Sequence, residues 1–169
     1  MAVKKKFFDN KKPLIIAEIA SAHLGKSENV IYLLKEANRA NFDAIKFQIF
    51  KTNNFVSKFN KYFKILKKLE INYKNWNHIF NKTKKTKIKK ICEIFEYESL
   101  VFAHKSKYFD AYKISSSNVY ENKIYQYILK NNLPFIINIS GLEIYELNKI
   151  NQKIKNKDFC MMMGFQNFP

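Results

Sequence analysis

PLIIAEIASAHLG, residues 13–25, is apolar from Leu14 to Ile19 except for Glu18, then breaks into small and polar residues before a glycine. A short unbroken apolar run bounded by turn residues is the pattern of a strand covered on both faces, as in a parallel sheet. A carboxylate inside such a strand is costly to bury alone, so Glu18 calls for a cation or a chemical task. An ion-paired core glutamate and a site residue are both open at this point. Ser21, His23 and Gly25 follow at once, where a strand-to-helix loop would lie.

Working outward, Ser27 reads as an N-cap, and Val30, Leu33, Leu34 and Ala37 recur at helical spacing up to Asn41. Phe42–Phe50, FDAIKFQIF, is a second apolar run interrupted by Lys46 and Gln48. Polar residues two apart share one face of a strand, and in a βα barrel that face is the interior. Thr52–Leu69 reads as an irregular, lysine-rich loop with a short helix, and Tyr73–Lys87 as a helix with Trp76, Ile79 and Phe80 on one side. Strands are expected at 88–95, 111–114, 134–139 and 159–165, with helices at 96–107, 120–131 and 143–155 between them. Strict alternation of strand and helix means a parallel sheet. No G-x-G-x-x-G or Walker loop follows any strand, which disfavours dinucleotide and NTP sites. Lysines in the second and fourth strands, with serines at strand ends, suit a barrel mouth that holds an anion. Six strands do not close an eight-stranded barrel, so the expected fold is an incomplete (β/α)8 TIM barrel occupying residues 13–169. Residues 1–12 read as a basic N-terminal extension.

The chain of 169 residues is 47% hydrophobic, enough for one domain with a real core. Its formal charge is +17, yet among 31 basic residues only Arg39 is arginine. Arginine is the better reader of bases and phosphates, so the lysines are read as solvated faces and no nucleic-acid partner is expected. Cys92 and Cys160 sit in separate apolar runs and are expected to be buried free thiols. No zinc spacing, signal peptide or membrane-length apolar run is present, which points to a cytoplasmic protein without a membrane partner.

Seven motifs in order carry a resemblance: PLIIAEI…H.G, DAIKFQ.F, LKKLE…..W, F.YES, DAYKISS, P.II..SG and GFQNFP. Together, from Pro13 to Pro169, they resemble the N-acetylneuraminate (sialic acid) synthase family. The resemblance implies a (β/α)8 barrel followed by a small antifreeze-like domain, here lacking the last strands and that domain. It implies condensation of phosphoenolpyruvate with N-acetylmannosamine or a related N-acyl amino sugar, giving a nine-carbon 2-keto acid. A divalent metal, manganese or magnesium, is implied for the complete enzyme, with ligands outside this chain. His78 and His104 match no metal position. A complementing chain or a homodimer is the implied protein partner, the chain being a fragment or split subunit.

By the same resemblance Lys46 and Lys113 grip phosphoenolpyruvate, with Ser116, Ser140 and Gln166 adding polar contacts. Glu18 is the matched glutamate near the reacting carbons and handles a proton, with Lys46 beside it among the catalytic residues. His23, Gln48 and Asn118 line the mouth, although His23 and Gln48 read equally well as hydrogen-bonding structural residues. Some positions depart from the family pattern. Ala20 and Ala22 replace a glycine and an asparagine. Asn118 stands where an acid is common, and an amide transfers no proton. Glu93 replaces a threonine or serine near the phosphate, placing negative charge between the two lysines. A non-catalytic barrel that binds an anion or a partner chain is the alternative these departures keep open.

Overall fold

The computed structural model describes residues 6–8 and 12–164. Its six strands are all parallel and lie side by side in chain order: β1 (Ile16–Glu18), β2 (Ala44–Ile49), β3 (Lys89–Ile94), β4 (Ala111–Ile114), β5 (Phe135–Asn138) and β6 (Phe159–Met162). Each of the first five strands is followed by helix before the next begins: α1 (Ser27–Arg39), then α2 (Thr52–Phe55), α3 (Phe63–Leu69) and α4 (Tyr73–Thr83), then α5 (Tyr97–Lys105), α6 (Asn122–Lys130) and α7 (Ile144–Ile154). Neighbours in sequence that are neighbours in one parallel sheet form the wall of a (β/α)8-type barrel, of which six consecutive strands are present.

Period-two alternation divides each strand between two cores. On the helix side, Phe47, Cys92, Ile94, Ile114 and Phe135 pack with Leu34 of α1, Trp76 and Ile79 of α4, and Leu100 of α5. On the other side, Ala44, Ile91, Ala111 and Ile136 form a smaller apolar layer near the strands' N-terminal ends. Phe7 and Phe8, which by sequence belong to a basic extension, pack against that layer together with Ile16. Their amides donate to the Asp158 carboxylate at 2.5 and 3.1 Å. Two aromatic rings thereby pack against the apolar layer at the lower end of the interior.

Several boundaries differ from the sequence expectation. β1 is three residues long and partly exposed, rather than covered on both faces, because it hydrogen-bonds only to β2 and leaves Ile15 60% exposed. Lys26, not Ser27, is the N-cap of α1, without a side-chain bond. The turn before it is set by Gly25, whose φ of +74° starts the helix one residue early. The segment 52–69 holds two short helices rather than one. β6 ends at Met162, and Cys160 is exposed instead of buried because β6 is the other edge of the sheet.

Candidate active site

Above the apolar layer the inward face becomes charged. The register aligns Glu18 with Lys46 across β1 and β2, then Gln48, Glu93 and Lys113 across β2, β3 and β4. In a (β/α)8 barrel the C-terminal ends of the strands face the active site, so these polar rungs stand at the functional end.

Glu93 is the hub. Its Oε1 accepts from Lys113 Nζ at 2.5 Å, and its Oε2 accepts from Lys46 Nζ and from Gln48 Nε2, the latter at 3.3 Å. Lys46 also pairs with Glu18, whose Oε1 in turn accepts the Ala20 amide at 2.9 Å. Lys46 and Glu93 are each 5% exposed and Lys113 9%. Burying so much charge is tolerable only because every ammonium meets a carboxylate. Burial works against ionisation of Glu93, yet the two lysines outweigh it and hold its pKa below the usual carboxylate value. Burial likewise opposes the charge on Lys46, and Glu93 and Glu18 overcome it, raising the lysine above its ordinary value. The cluster counts two cations against two anions, a neutral set built from full charges.

The structure thus brings together Glu18, Lys46, Gln48 and Lys113 around a residue that the sequence marks only as a departure. Other expected residues stand nearby along the rim. Ser116 opens a 3-10 turn, Ser116–Asn118, just after β4. Asn118 donates its amide to the Ile94 carbonyl at 3.0 Å, tying that turn to the end of β3. Ser140 follows β5; its amide donates to Asn138 and its hydroxyl accepts the Gly164 amide at 3.0 Å. His23 is 2% exposed in the β1–α1 loop, and its Nδ1 accepts the Gly25 amide at 3.0 Å. Burial lowers its pKa, and through the Gly25 amide it helps shape the loop. Gln166 lies outside the described residues. Asn138 is a residue the sequence reading misses, although alternation from Ile136 places it on the interior face, above the apolar layer.

Among the described residues no group of three His, Cys, Asp or Glu side chains stands close enough to hold a metal. His78 approaches Glu28 at 3.9 Å, and His104 meets the Tyr127 hydroxyl at 3.0 Å. The described residues therefore offer no ligand set for the divalent metal that the resemblance implies.

The profile of the NeuB family matches residues 33–169, a span that includes Lys46, Glu93 and Lys113. The chain belongs to the NeuB family. The pseudaminic acid synthase of Campylobacter jejuni is 26% identical over 183 residues, covering 96% of this chain and 52% of that protein. An uncharacterised protein of Methanocaldococcus jannaschii is 26% identical over 159 residues, covering 92% of this chain and 47% of that protein. The chain spans about half the length of the curated relatives it matches. Among solved structures, the N-acetylneuraminic acid synthetase of Leptospira borgpetersenii superposes with a TM-score of 0.85 at 18% identity, over 98% of this chain and 61% of that one. That likeness shows a shared barrel fold. No helix among the described residues is long and apolar enough to cross a membrane.

The charged layer lies above the apolar one, toward the C-terminal ends of the strands. A third charge at strand period is the sequence signal that points to Glu93. It follows Ile91 by two residues, as Lys46 follows Ala44 and Lys113 follows Ala111.

Proposed function

We propose that this chain forms the anion-gripping part of a sialic acid-type synthase, a cytoplasmic enzyme that condenses phosphoenolpyruvate with an N-acyl amino sugar. The observation that carries this reading is the convergence of Lys46 and Lys113, from alternate strands, on one carboxylate inside a NeuB-family barrel. Two ammonium groups that reach one small anion can reach the phosphate and carboxylate of phosphoenolpyruvate, with hydroxyls of Ser116 and Ser140 and the Gln166 amide as further donors. Glu18 touches Lys46 and is the more exposed of the two carboxylates, which suits it to accept a proton from an attacking water. The remaining barrel units, the metal ligands and most of the sugar contacts are assigned to the part of the relatives this chain does not span, supplied in the same protein, by a complementing chain or by a dimer partner.

A second reading, a barrel that binds without catalysis, is favoured by the position of Glu93 between both lysines. Calorimetry of phosphoenolpyruvate binding tests the two together. Charge-assisted contacts are each worth roughly 1.5–3 kcal/mol, so Lys46→Ala and Lys113→Ala are expected to weaken binding about ten- to a hundredfold. Glu93→Thr is expected to strengthen it. No binding in any of these proteins, Glu93→Thr included, overturns the synthase reading.

A further inference from the structure

Glu93 holds the place that the proposed ligand would need. Both its oxygens are engaged by the two ammonium groups, and the carboxylate is fixed to β3 between them. Among the described residues the groups facing it are few. Lys46 and the uncharged Gln48 come from β2, Lys113 comes from β4, and Glu18 on β1 is linked to it through Lys46. A dianion entering this neutral cluster would add two negative charges to a buried layer whose positive charge is already matched. Between groups this close and this deeply buried, that repulsion is not screened away. The cluster accommodates the newcomer at least cost if one of its own carboxylates loses its charge. The side chain of Glu93 is 6% exposed against 42% for Glu18, so solvent does little to support its charge once the lysines turn to a ligand.

We infer that Glu93 is a tethered counter-anion that couples ligand binding to proton uptake: a dianion binds at Lys46 and Lys113 as Glu93 takes a proton from solvent. This rests on the reading of the two lysines as an anion site. The lysines favour the ionised form of Glu93, and a ligand's charge removes that support. No bond other than the carboxyl O–H is made. The neutral carboxyl then offers its O–H to a ligand oxygen, so a competitor becomes a donor. The residue thereby sets specificity as well as pH dependence. Dianions gain the full benefit of both lysines, whereas a monoanion gains less from the discharge of Glu93.

Sulfate is a suitable probe, because its own charge is constant from about pH 5.5 to pH 8, the range in which linked proton uptake is read. Calorimetry of the full chain in two buffers of different ionisation enthalpy counts the protons directly and needs no variant. The expected result is uptake approaching one proton per sulfate, with affinity rising up to about tenfold for each unit fall in pH. Glu93→Gln is expected to bind sulfate more tightly at neutral pH, without uptake. Sulfate binding to the unaltered chain without proton uptake, or equal uptake in Glu93→Gln, overturns the coupling while leaving the anion site standing. Absence of sulfate binding in both proteins overturns the anion site and the coupling with it.

Discussion

Glu93 and Lys113 stand opposite one another in register across β3 and β4, and the carboxylate accepts from the ammonium at 2.5 Å. Both side chains are buried. Glu93 also holds Lys46, whereas among the described residues Lys113 pairs with no carboxylate but Glu93, so the dependence is chiefly that of Lys113 on Glu93. Removing one partner of such a pair leaves an uncompensated charge, at a cost of about 3–5 kcal/mol. Glu93→Ala is expected to show that loss in urea unfolding. The double replacement Glu93→Leu with Lys113→Met is expected to recover most of it, because two apolar groups leave no charge stranded. Additive losses in the two single variants and the double would refute the coupling.

The pH dependence of stability follows from the same cluster. Glu93 has its folded pKa held below the ordinary 4.5. Its contribution is therefore fully present above that value and is lost as pH falls through the folded pKa. Lys46 is raised above its ordinary 10.5, so its contribution is complete below that value and is lost as pH rises through the folded pKa. Urea midpoints taken from pH 7 downward are expected to fall below about pH 4.5, and less steeply in Glu93→Gln. An unchanged acid limb in that variant would show that other carboxylates govern it.

Gly25 answers a tight approach as well as a turn. At φ +74° a side chain is strained, and an added Cβ would meet the Lys68 carbonyl oxygen at 2.2 Å. Gly25→Ala is expected to cost about 1–3 kcal/mol and to loosen α3 from the β1–α1 loop. Amide exchange of the Leu66–Glu70 turn reports the second effect. Unaltered exchange there, with stability retained, contradicts the account.

β1 and β6 are the sheet's edges, and the exposed Cys160 and Met162 lie along β6. Unpaired apolar edges invite pairing with another chain. The 169-residue chain is expected to gain mass with concentration in sedimentation, and Met162→Lys to reduce that gain. The Cys160 thiol is expected to be slower to react with an alkylating reagent as the chain associates. Buried Cys92 stays protected throughout, its pKa raised by burial. A monomer at all concentrations up to tens of micromolar runs against both expectations.

Much of the fold is written in local patterns. The alternation in AIKFQI puts Lys46 and Gln48 on one face, and the helical spacing of Trp76, Ile79 and Phe80 gives the buried side of α4. These signals are legible because each element's period is fixed by its own backbone geometry. The role of Glu93 is only half legible. Its charge and strand position are local, but its partners lie 47 and 20 residues away on the strands to either side. Distance along the chain also hides Phe7 and Phe8, which look like an apolar pair inside a basic tail until Asp158, just before β6, supplies their acceptor. The exposure of Cys160 escapes a sequence reading because an apolar run does not say whether a strand has one neighbour or two.

The bond from Phe7 to Asp158 spans 151 residues of chain. A contact of that separation gains nothing until the intervening strands are aligned, because the loop it closes must first be shortened by the sheet itself. Phe7 and Phe8 thus wait for the sixth strand to arrive. Docking of Phe7 and Phe8 on the sheet is therefore expected to follow the alignment of β6.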